Sequence, residues 1–461
     1  MSKILKAWEK VKGLTRRAVT GKISPDLSGG DEDRIKKKIS KCVFAKGGQI
    51  SYRSRAIELG EIYLNLSKKG REKFMKLLAR EFDIDKQKIN ESIQKFQKSG
   101  DEDMRIQAEM ELSKALIPPR VTLLKQFNSL PDGFKFLIDF RADLLPIRSS
   151  DPFLEKLDAD LKDLLSSWFD VGLLDLKEIT WQSPASLLEK LIKYEAVHEI
   201  KSWTDLKNRL ASDRECFAFF HNKIPDEPLI FVEVALVSQI STNIQELLDE
   251  EATTIKREEA DIAIFYSISN AQKGLEGINL GNFLIKRVVT ALSKKLKGLK
   301  HFITLSPIPN FREWLDPFLL KGDESILTPT EIKTLKSFTD NQNAANGLLE
   351  LLRSNWKENP EISKTLKPIL MRLCAYYLIH VKRGENGKAF DPVANFHLVN
   401  GAHIERLNWL GDTSEKGMKQ SAGIMANYHY KLSEIEKNHE LYITESRINA
   451  APDVKKWIKK F

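Results

Sequence analysis

Cysteine is scarce in this 461-residue sequence: Cys42, Cys216 and Cys374 lie far apart, and no CxxC or Cys/His grouping is present. That argues against a disulfide framework and against a cysteine-based zinc site, and no metal is expected. Three isolated thiols fit a reducing compartment and read as small buried hydrophobes. No apolar run reaches the ~18 or more residues of a membrane-spanning helix; the most apolar stretch, Leu229–Val237, contains Glu233. The basic, amphipathic Met1–Thr20 has no apolar signal core. It reads as a surface helix, or as a transit peptide if the source is eukaryotic. The final Trp457-Ile458-Lys459-Lys460-Phe461 is not a peroxisomal tripeptide. Basic blocks with interleaved aromatics are missing too. The net charge of +9 comes from 73 Lys and Arg set among 64 Asp and Glu. A charge so dispersed describes solvated helix faces rather than a nucleic-acid footprint, though it would help attract an anionic ligand. Neither Gly-Lys-Ser/Thr nor GxGxxG occurs after a strand-like run.

What is present is an ordinary globular composition, 42% apolar and 30% charged, over a length that suggests roughly two to four domains. A polar break at Ile23–Asp33 ends an N-terminal segment, 1–33. Residues 34–168 then follow a helical pattern, with Phe74, Leu77, Leu78 and Phe82 at helix spacing after a cap at Ser67. Met104–Leu116 and Leu154–Trp168 read the same way. This region is expected to be an all-α packing or oligomerisation domain. From residue 169 to 461 the character becomes α/β. Ser183-Pro184 opens a helix by the cap-then-proline rule. Short apolar runs predict strands at Cys216–His221, Leu229–Val237, Ile262–Ile268 and His301–Leu305, with a helix over Asn282–Leu296 between the last two. A helical insertion spans about 323–385, entered through a capping box at Thr328-Pro329-Thr330-Glu331. A final set of short strands is expected from about Asn395.

Three segments carry candidate chemistry. The first is a strand, Ile264–Ile268, followed by a glycine-rich turn, Gln272–Asn282, and then a helix. Glycines let a backbone approach a ligand, and free N–H groups at a helix start attract pyrophosphate. A bare strand-to-helix turn would look the same. The second is Ser306-Pro307-Ile308-Pro309-Asn310-Phe311, where a serine leaves the carboxyl end of a strand, the edge at which open α/β sheets place ligands. Alternatively, Ser306 caps the next turn. The third is Asp391-Pro392-Val393-Ala394-Asn395-Phe396-His397-Leu398-Val399-Asn400-Gly401-Ala402, in which His397 sits in a strand-like alternation opposite Phe396 and Leu398. A lone histidine there can equally be structural.

Taken together and in this order, these segments resemble the malonyl-CoA decarboxylase family. So do Tyr194-Glu195-Ala196-Val197-His198, Glu227-Pro228-Leu229 and Ser421–Tyr428. The resemblance is dense from about residue 168 to 432 and looser before that. It implies an α+β multidomain chain with an all-α N-terminal domain and a GNAT-like α/β catalytic domain carrying the helical insertion. It also implies a carboxy-lyase of fatty-acid metabolism that converts malonyl-CoA to acetyl-CoA and CO2. The family's catalytic serine falls on Ser306 and its catalytic histidine on His397. Its substrate loop falls on Glu276, Gly277, Ile278, Asn279, Leu280, Gly281 and Asn282, and a tyrosine near the thioester falls on Tyr430. Asn279 departs from the acidic residue expected there.

The implied reaction needs no cofactor, because the thioester carbonyl itself takes up the electrons of the broken C–CO2 bond as an enolate. His397 would hydrogen-bond at the thioester and deliver a proton, a role suited to an imidazole titrating near working pH. Ser306 would hold the malonyl carboxylate. The resemblance further implies a homo-oligomer, a dimer or tetramer, in the cytoplasm, or in the mitochondrial matrix of a eukaryote, with no nucleic-acid or membrane partner. The rival readings are a GNAT-type acyltransferase, which shares the CoA loop, and a non-catalytic acyl-CoA or nucleic-acid binder.

Overall fold

A computed structural model of the chain describes residues 23–44, 49–169, 171–278, 284–384 and 387–458. The expected basic N-terminal helix and the loop residues Asn279, Leu280, Gly281 and Asn282 lie outside the described residues. Between Asp31 and Trp168 the described elements are all helical. Several starts are set by side chains that take up otherwise orphaned N–H groups. Ser67 accepts from Gly70 ahead of helix Lys68–Glu81, and Asp151 accepts from Phe153 ahead of Pro152–Trp168, where Pro152 loses no hydrogen bond.

The chain divides into two compact units. The first contains these helices and two excursions from later in the chain, Phe220–Leu229 and the stretch beginning at Asn270. Its interior is aromatic. Tyr63 packs edge-on to Phe74 and Phe136, with centroids 5.3 and 5.7 Å away, and Phe127 meets Phe136 at 4.9 Å. Two arginines are buried among carboxylates. Arg120 binds Asp83 and Asp160 at 2.8 and 2.5 Å, and Arg141 binds Asp158 at 2.7 Å. Buried this deeply, each guanidinium needs those partners.

The second unit is built on a sheet. Among the described residues, eight strands order as β1(Leu174–Ile179), β2(Arg214–His221), β3(Ile230–Val237), β4(Ile262–Asn270), β5(His301–Thr304), then β10(Met425–His429) and β6(Ser306–Pro307), with β9(His403–Asn408) also paired to β10. β7(Lys382–Arg383) and β8(Lys388–Ala389) form a separate hairpin. β3 and β4 are buried along nearly their whole length, as continuous apolar runs require when both faces are covered. Glu233 inside β3 is matched by Arg209 at 3.1 Å. The helix Leu284–Lys295 buries Leu284, Ile285, Val288, Val289 and Leu292, the stripe that its spacing predicted.

The strand positions follow the apolar runs to within one or two residues, and the Thr328 capping box forms as expected. Pro184, rather than Ser183, is the residue just outside helix Ala185–Tyr194; Ser183 Oγ instead accepts from Thr180 N–H. The expected strand at Asn395 is wrong. Pro392–Val399 is a helix, and the next strand starts only at His403. The physical reason is Asp391, whose carboxylate accepts from Val393 and Ala394 N–H at 3.0 and 2.9 Å, with Pro392 at the first helical position.

Two features of the sheet prepare the site. The parallel pair β4·β5 runs from Ile262↔His301 to Phe265↔Thr304, and its last bond is Leu305 N–H to Phe265 carbonyl at 2.9 Å. β4 continues to Asn270 without that partner. β5 and β6 form one line against β10, interrupted at Leu305. At the interruption Asn427 donates its side-chain N–H to the Thr304 carbonyl at 2.6 Å. No described helix is long and apolar enough to cross a membrane.

Candidate active site

Ser306 and His397 stand 91 residues apart in sequence and meet in the second unit, Ser306 Oγ lying 3.0 Å from His397 Nε2. Ser306 sits where β6 begins, and His397 lies near the end of its capped helix, not in a strand. Behind the imidazole, Nδ1 is 2.7 Å from the Tyr430 hydroxyl. The ring stacks on Tyr428, with centroids 4.5 Å apart and planes at 25°. Tyr428 lies on β10 and Tyr430 one residue past its end, so the spacing of two turns both to the same side. On the other side, Ser306 donates to Thr304 Oγ1 at 2.8 Å, which also accepts from Tyr428 N–H at 3.1 Å.

These bonds fix the proton arrangement. A hydroxyl has one hydrogen, so with Ser306 donating to Thr304, His397 must donate from Nε2 to Ser306. Its Nδ1 then accepts from Tyr430. The result is a directed chain, Tyr430 to His397 to Ser306 to Thr304. All of it is shielded from water: Ser306 is 5% exposed and His397 3%. Burial pushes the His397 pKa from 6.5 down to about 3 and the Tyr430 phenol well above its ordinary value. The expected imidazole titrating near working pH is therefore corrected. Burial favours the neutral ring, and among the described residues no charged group offsets the desolvation of a positive one.

Asp391 joins the two chemical segments. Besides capping the His397 helix, it accepts from Asn310 N–H, at the end of the Ser-Pro-Ile-Pro turn, and from the Tyr377 hydroxyl, each at 3.3 Å. Burial raises its pKa to about 6 against the pull of those backbone donors. Sequence reasoning missed Asp391, Thr304 and Tyr428. For Asp391 the signal was present, since Asp-Pro is the same cap-then-proline pattern that opens other helices of this chain. For Thr304 and Tyr428 there was none, because both roles depend on strand register.

The glycine-rich turn has a different explanation at Gly274. A β-carbon there would stand 1.8 Å from the Ile138 carbonyl oxygen, so this glycine permits close packing on helix Gly133–Leu144 rather than on a ligand. Arg141 Nη1 donates to the Gly274 and Glu276 carbonyls at 2.7 and 2.8 Å. Gly277 has φ +71°, and a β-carbon there would meet nothing nearer than Lys162 Nζ at 4.0 Å. Glu276, Gly277 and Ile278 thus belong to the first unit and hang from Arg141. Two other motifs are also structural. Glu195 accepts from the Ser267 and Ser269 hydroxyls at 2.8 and 3.0 Å, and Gln272 donates to the Pro228 carbonyl at 3.0 Å. The three cysteines are free and buried, and burial raises each thiol pKa, that of Cys42 to about 11. They are not the reactive thiolates of a catalytic site.

A helical N-terminal region followed by a mixed-sheet α/β region that holds a buried Ser–His–Tyr chain defines the class of protein. The malonyl-CoA decarboxylase N-terminal domain family matches residues 82–169 and the malonyl-CoA decarboxylase C-terminal domain family matches residues 172–461. The mitochondrial malonyl-CoA decarboxylase of Anser anser anser is 39% identical over 83% of this chain and 79% of its own length; that of Rattus norvegicus is 38% identical over 83% and 81%. Crystal structures of malonyl-CoA decarboxylase from Rhodopseudomonas palustris and Agrobacterium vitis superpose with TM-scores of 0.84 and 0.81. They are 38% and 39% identical, and cover 92% and 93% of this chain and 99% of each of theirs. The chain belongs to the malonyl-CoA decarboxylase family, whose members are carboxy-lyases.

Proposed function

We propose that this chain decarboxylates malonyl-CoA through Ser306, His397 and Tyr430. The observation that carries the assignment is the continuous hydrogen-bonded chain through a neutral, buried imidazole. Loss of CO2 breaks the bond between the carboxylate carbon and C2. The electron pair moves into the thioester carbonyl, giving an enolate with the charge that the carboxylate carried. C2 then takes one proton, and acetyl-CoA results. An enolate carbon is basic enough to draw that proton from a neutral donor. His397 Nε2–H supplies it, directly or through the Ser306 hydroxyl, while Tyr430 passes its own proton to Nδ1. Imidazole therefore never has to become an anion; as product leaves, a proton taken up through the vacated substrate site restores Nε2–H, and Nδ1 returns its proton to Tyr430. Before the bond breaks, Ser306 turns its hydroxyl from Thr304 to the malonyl carboxylate and holds the bond to CO2 perpendicular to the thioester plane, where it overlaps the carbonyl. Excluding water strengthens each of these contacts.

CoA binding is assigned to Glu276, Gly277 and Ile278 and to the following Asn279, Leu280, Gly281 and Asn282. The clamp of Arg141 on the Gly274 and Glu276 carbonyls supports this by giving the loop a fixed base. Ile106 and Met110, one turn apart and about half exposed on helix Glu102–Ala115, support assembly as a homo-oligomer. Free cysteines support a reducing compartment such as the cytoplasm.

The test is to mix the protein with malonyl-CoA and follow acetyl-CoA by mass spectrometry beside a Ser306→Ala/His397→Asn double variant. Conversion by the wild type, with a loss of about 10²–10⁴-fold in the variant, is expected. Near-equal rates would remove the chemistry from these residues.

A further inference from the structure

Immediately behind the chemical face of β10 is a second cluster that the decarboxylation does not use. Tyr428 and Tyr430 both turn to His397, so strand alternation turns His429 to the opposite face of the sheet. His403 on β9 pairs directly with His429 and shares that face. Glu405 is the extra residue of a bulge: Arg406 faces Asn427 and Ile404 faces Tyr428, which leaves Glu405 unmatched between them. Bulges re-aim a side chain. Here the Glu405 carboxylate is brought to 2.7 Å from His403 Nε2 and 3.4 Å from His429 Nδ1.

We propose that His403, Glu405 and His429 form a divalent-metal site that takes Zn2+. One ligand atom from each residue can be chosen so that all three lie within 4.8 Å of one another. Ligands of a tetrahedral ion with bonds of about 2.0–2.2 Å stand roughly 3.3–3.6 Å apart, so the 3.4 Å between Glu405 and His429 already fits and the 2.7 Å between Glu405 and His403 has only to open slightly. Two imidazoles and one carboxylate suit a borderline ion such as Zn2+ rather than Ca2+ or Mg2+, which prefer oxygen shells. The side chains are 15%, 30% and 13% exposed for His403, Glu405 and His429, so an ion has an entry path and water can complete the shell. His403 Nδ1 is buried with no hydrogen-bond partner among the described residues. A ring flip can therefore exchange its two nitrogens without breaking a bond at that atom. The signal was partly legible in His403-x-Glu405, whose spacing of two puts both residues on one face of a strand. The third ligand required the β9·β10 register. An ion held here clips β9 to the strand that carries Tyr428 and Tyr430. The site is not a catalytic one, since none of its three side chains touches the Ser306–His397 chain.

The test uses full-length protein stripped with chelator and titrated with Co2+ alone, whose visible absorption reports its ligand field. Zn2+ is then added to displace it. One ion per chain is expected, with a rise in Tm on loading. Losing a primary ligand in His403→Gln or Glu405→Gln should weaken binding by more than about a hundredfold, because even outer-shell changes reach that size. His301→Ala, an exposed neighbour whose ring centroid is 5.5 Å from that of His429, should leave affinity unchanged. Decarboxylation by the metal-free variants reports that they are folded. X-ray absorption of the Zn2+-loaded wild type should show an imidazole-containing shell whatever the variants do. Absence of saturable binding, binding that survives both substitutions, or a shell without imidazole would show that Glu405 only pairs with two histidines and would overturn the site.

Discussion

Tyr430→Phe isolates the proton chain more cleanly than removal of either central residue. The phenyl ring keeps its packing against Phe265, 6.4 Å away by centroid, and only the hydroxyl 2.7 Å from His397 Nδ1 is lost. Two consequences follow. Nδ1 becomes a buried acceptor without a donor, which costs about 1–3 kcal/mol of stability. The imidazole also loses the group that replaces its proton, so the barrier rises by the strength of that bond in the transition state. Taking the same 1–3 kcal/mol, kcat should fall by about 5–150-fold. KM should hardly change, because the phenol acts through His397. Steady-state acetyl-CoA formation gives both constants, and thermal melting should show a Tm lower by a few degrees. A kcat within twofold of wild type would refute the relay through Nδ1. A loss equal to that of His397→Asn would also refute it, since Tyr430 would then be donating directly.

Other perturbations probe the supports of the site. Asp391→Ala removes the cap of the His397 helix and leaves the Tyr377 hydroxyl and Asn310 N–H short of an acceptor. Denaturant unfolding should show a loss of about 2–4 kcal/mol. Gly274→Ala forces a methyl against the Ile138 carbonyl and should cost about 3 kcal/mol or more. Gly277→Ala meets no atom closer than 4.0 Å and should cost only about 1–2 kcal/mol, the penalty of its left-handed backbone; the reverse order would contradict the packing role of Gly274. The pH dependence of stability tests the burial of His397. Its pKa falls from 6.5 to about 3 on folding, so between those values the unfolded chain binds more protons. Its contribution is intact above pH 6.5 and is lost as pH falls towards 3, at up to about 1.4 kcal/mol per pH unit. His397→Gln should flatten the urea midpoint over that window relative to wild type.

How much of this was legible in advance depended on the range of the interaction that decided it. Local signals held: the Ser67 and Thr328 caps, the stripe from Leu284 to Leu292 and the apolar runs of β3 and β4 each follow from residues within a few positions of one another. His397 was chosen as a candidate and given the wrong backbone. The alternation around Phe396 and Leu398 looked like a strand, but two N–H bonds to Asp391 and the preset φ of Pro392 favour a helix. The glycine-rich turn was left open between a ligand loop and a bare turn, and at Gly274 it makes room for a helix, because nothing near it in sequence names Ile138.

By itself the sequence determined the helical first part, the α/β second part, and which serine and histidine carry the family motifs. Only the tertiary structure decided that the histidine is neutral, which way its protons point, and that Tyr430 and Thr304 end the chain. Those properties come from burial and strand register, which arise between segments that are far apart along the chain. For the same reason His403, Glu405 and His429 stayed invisible as a group until β9 was laid against β10.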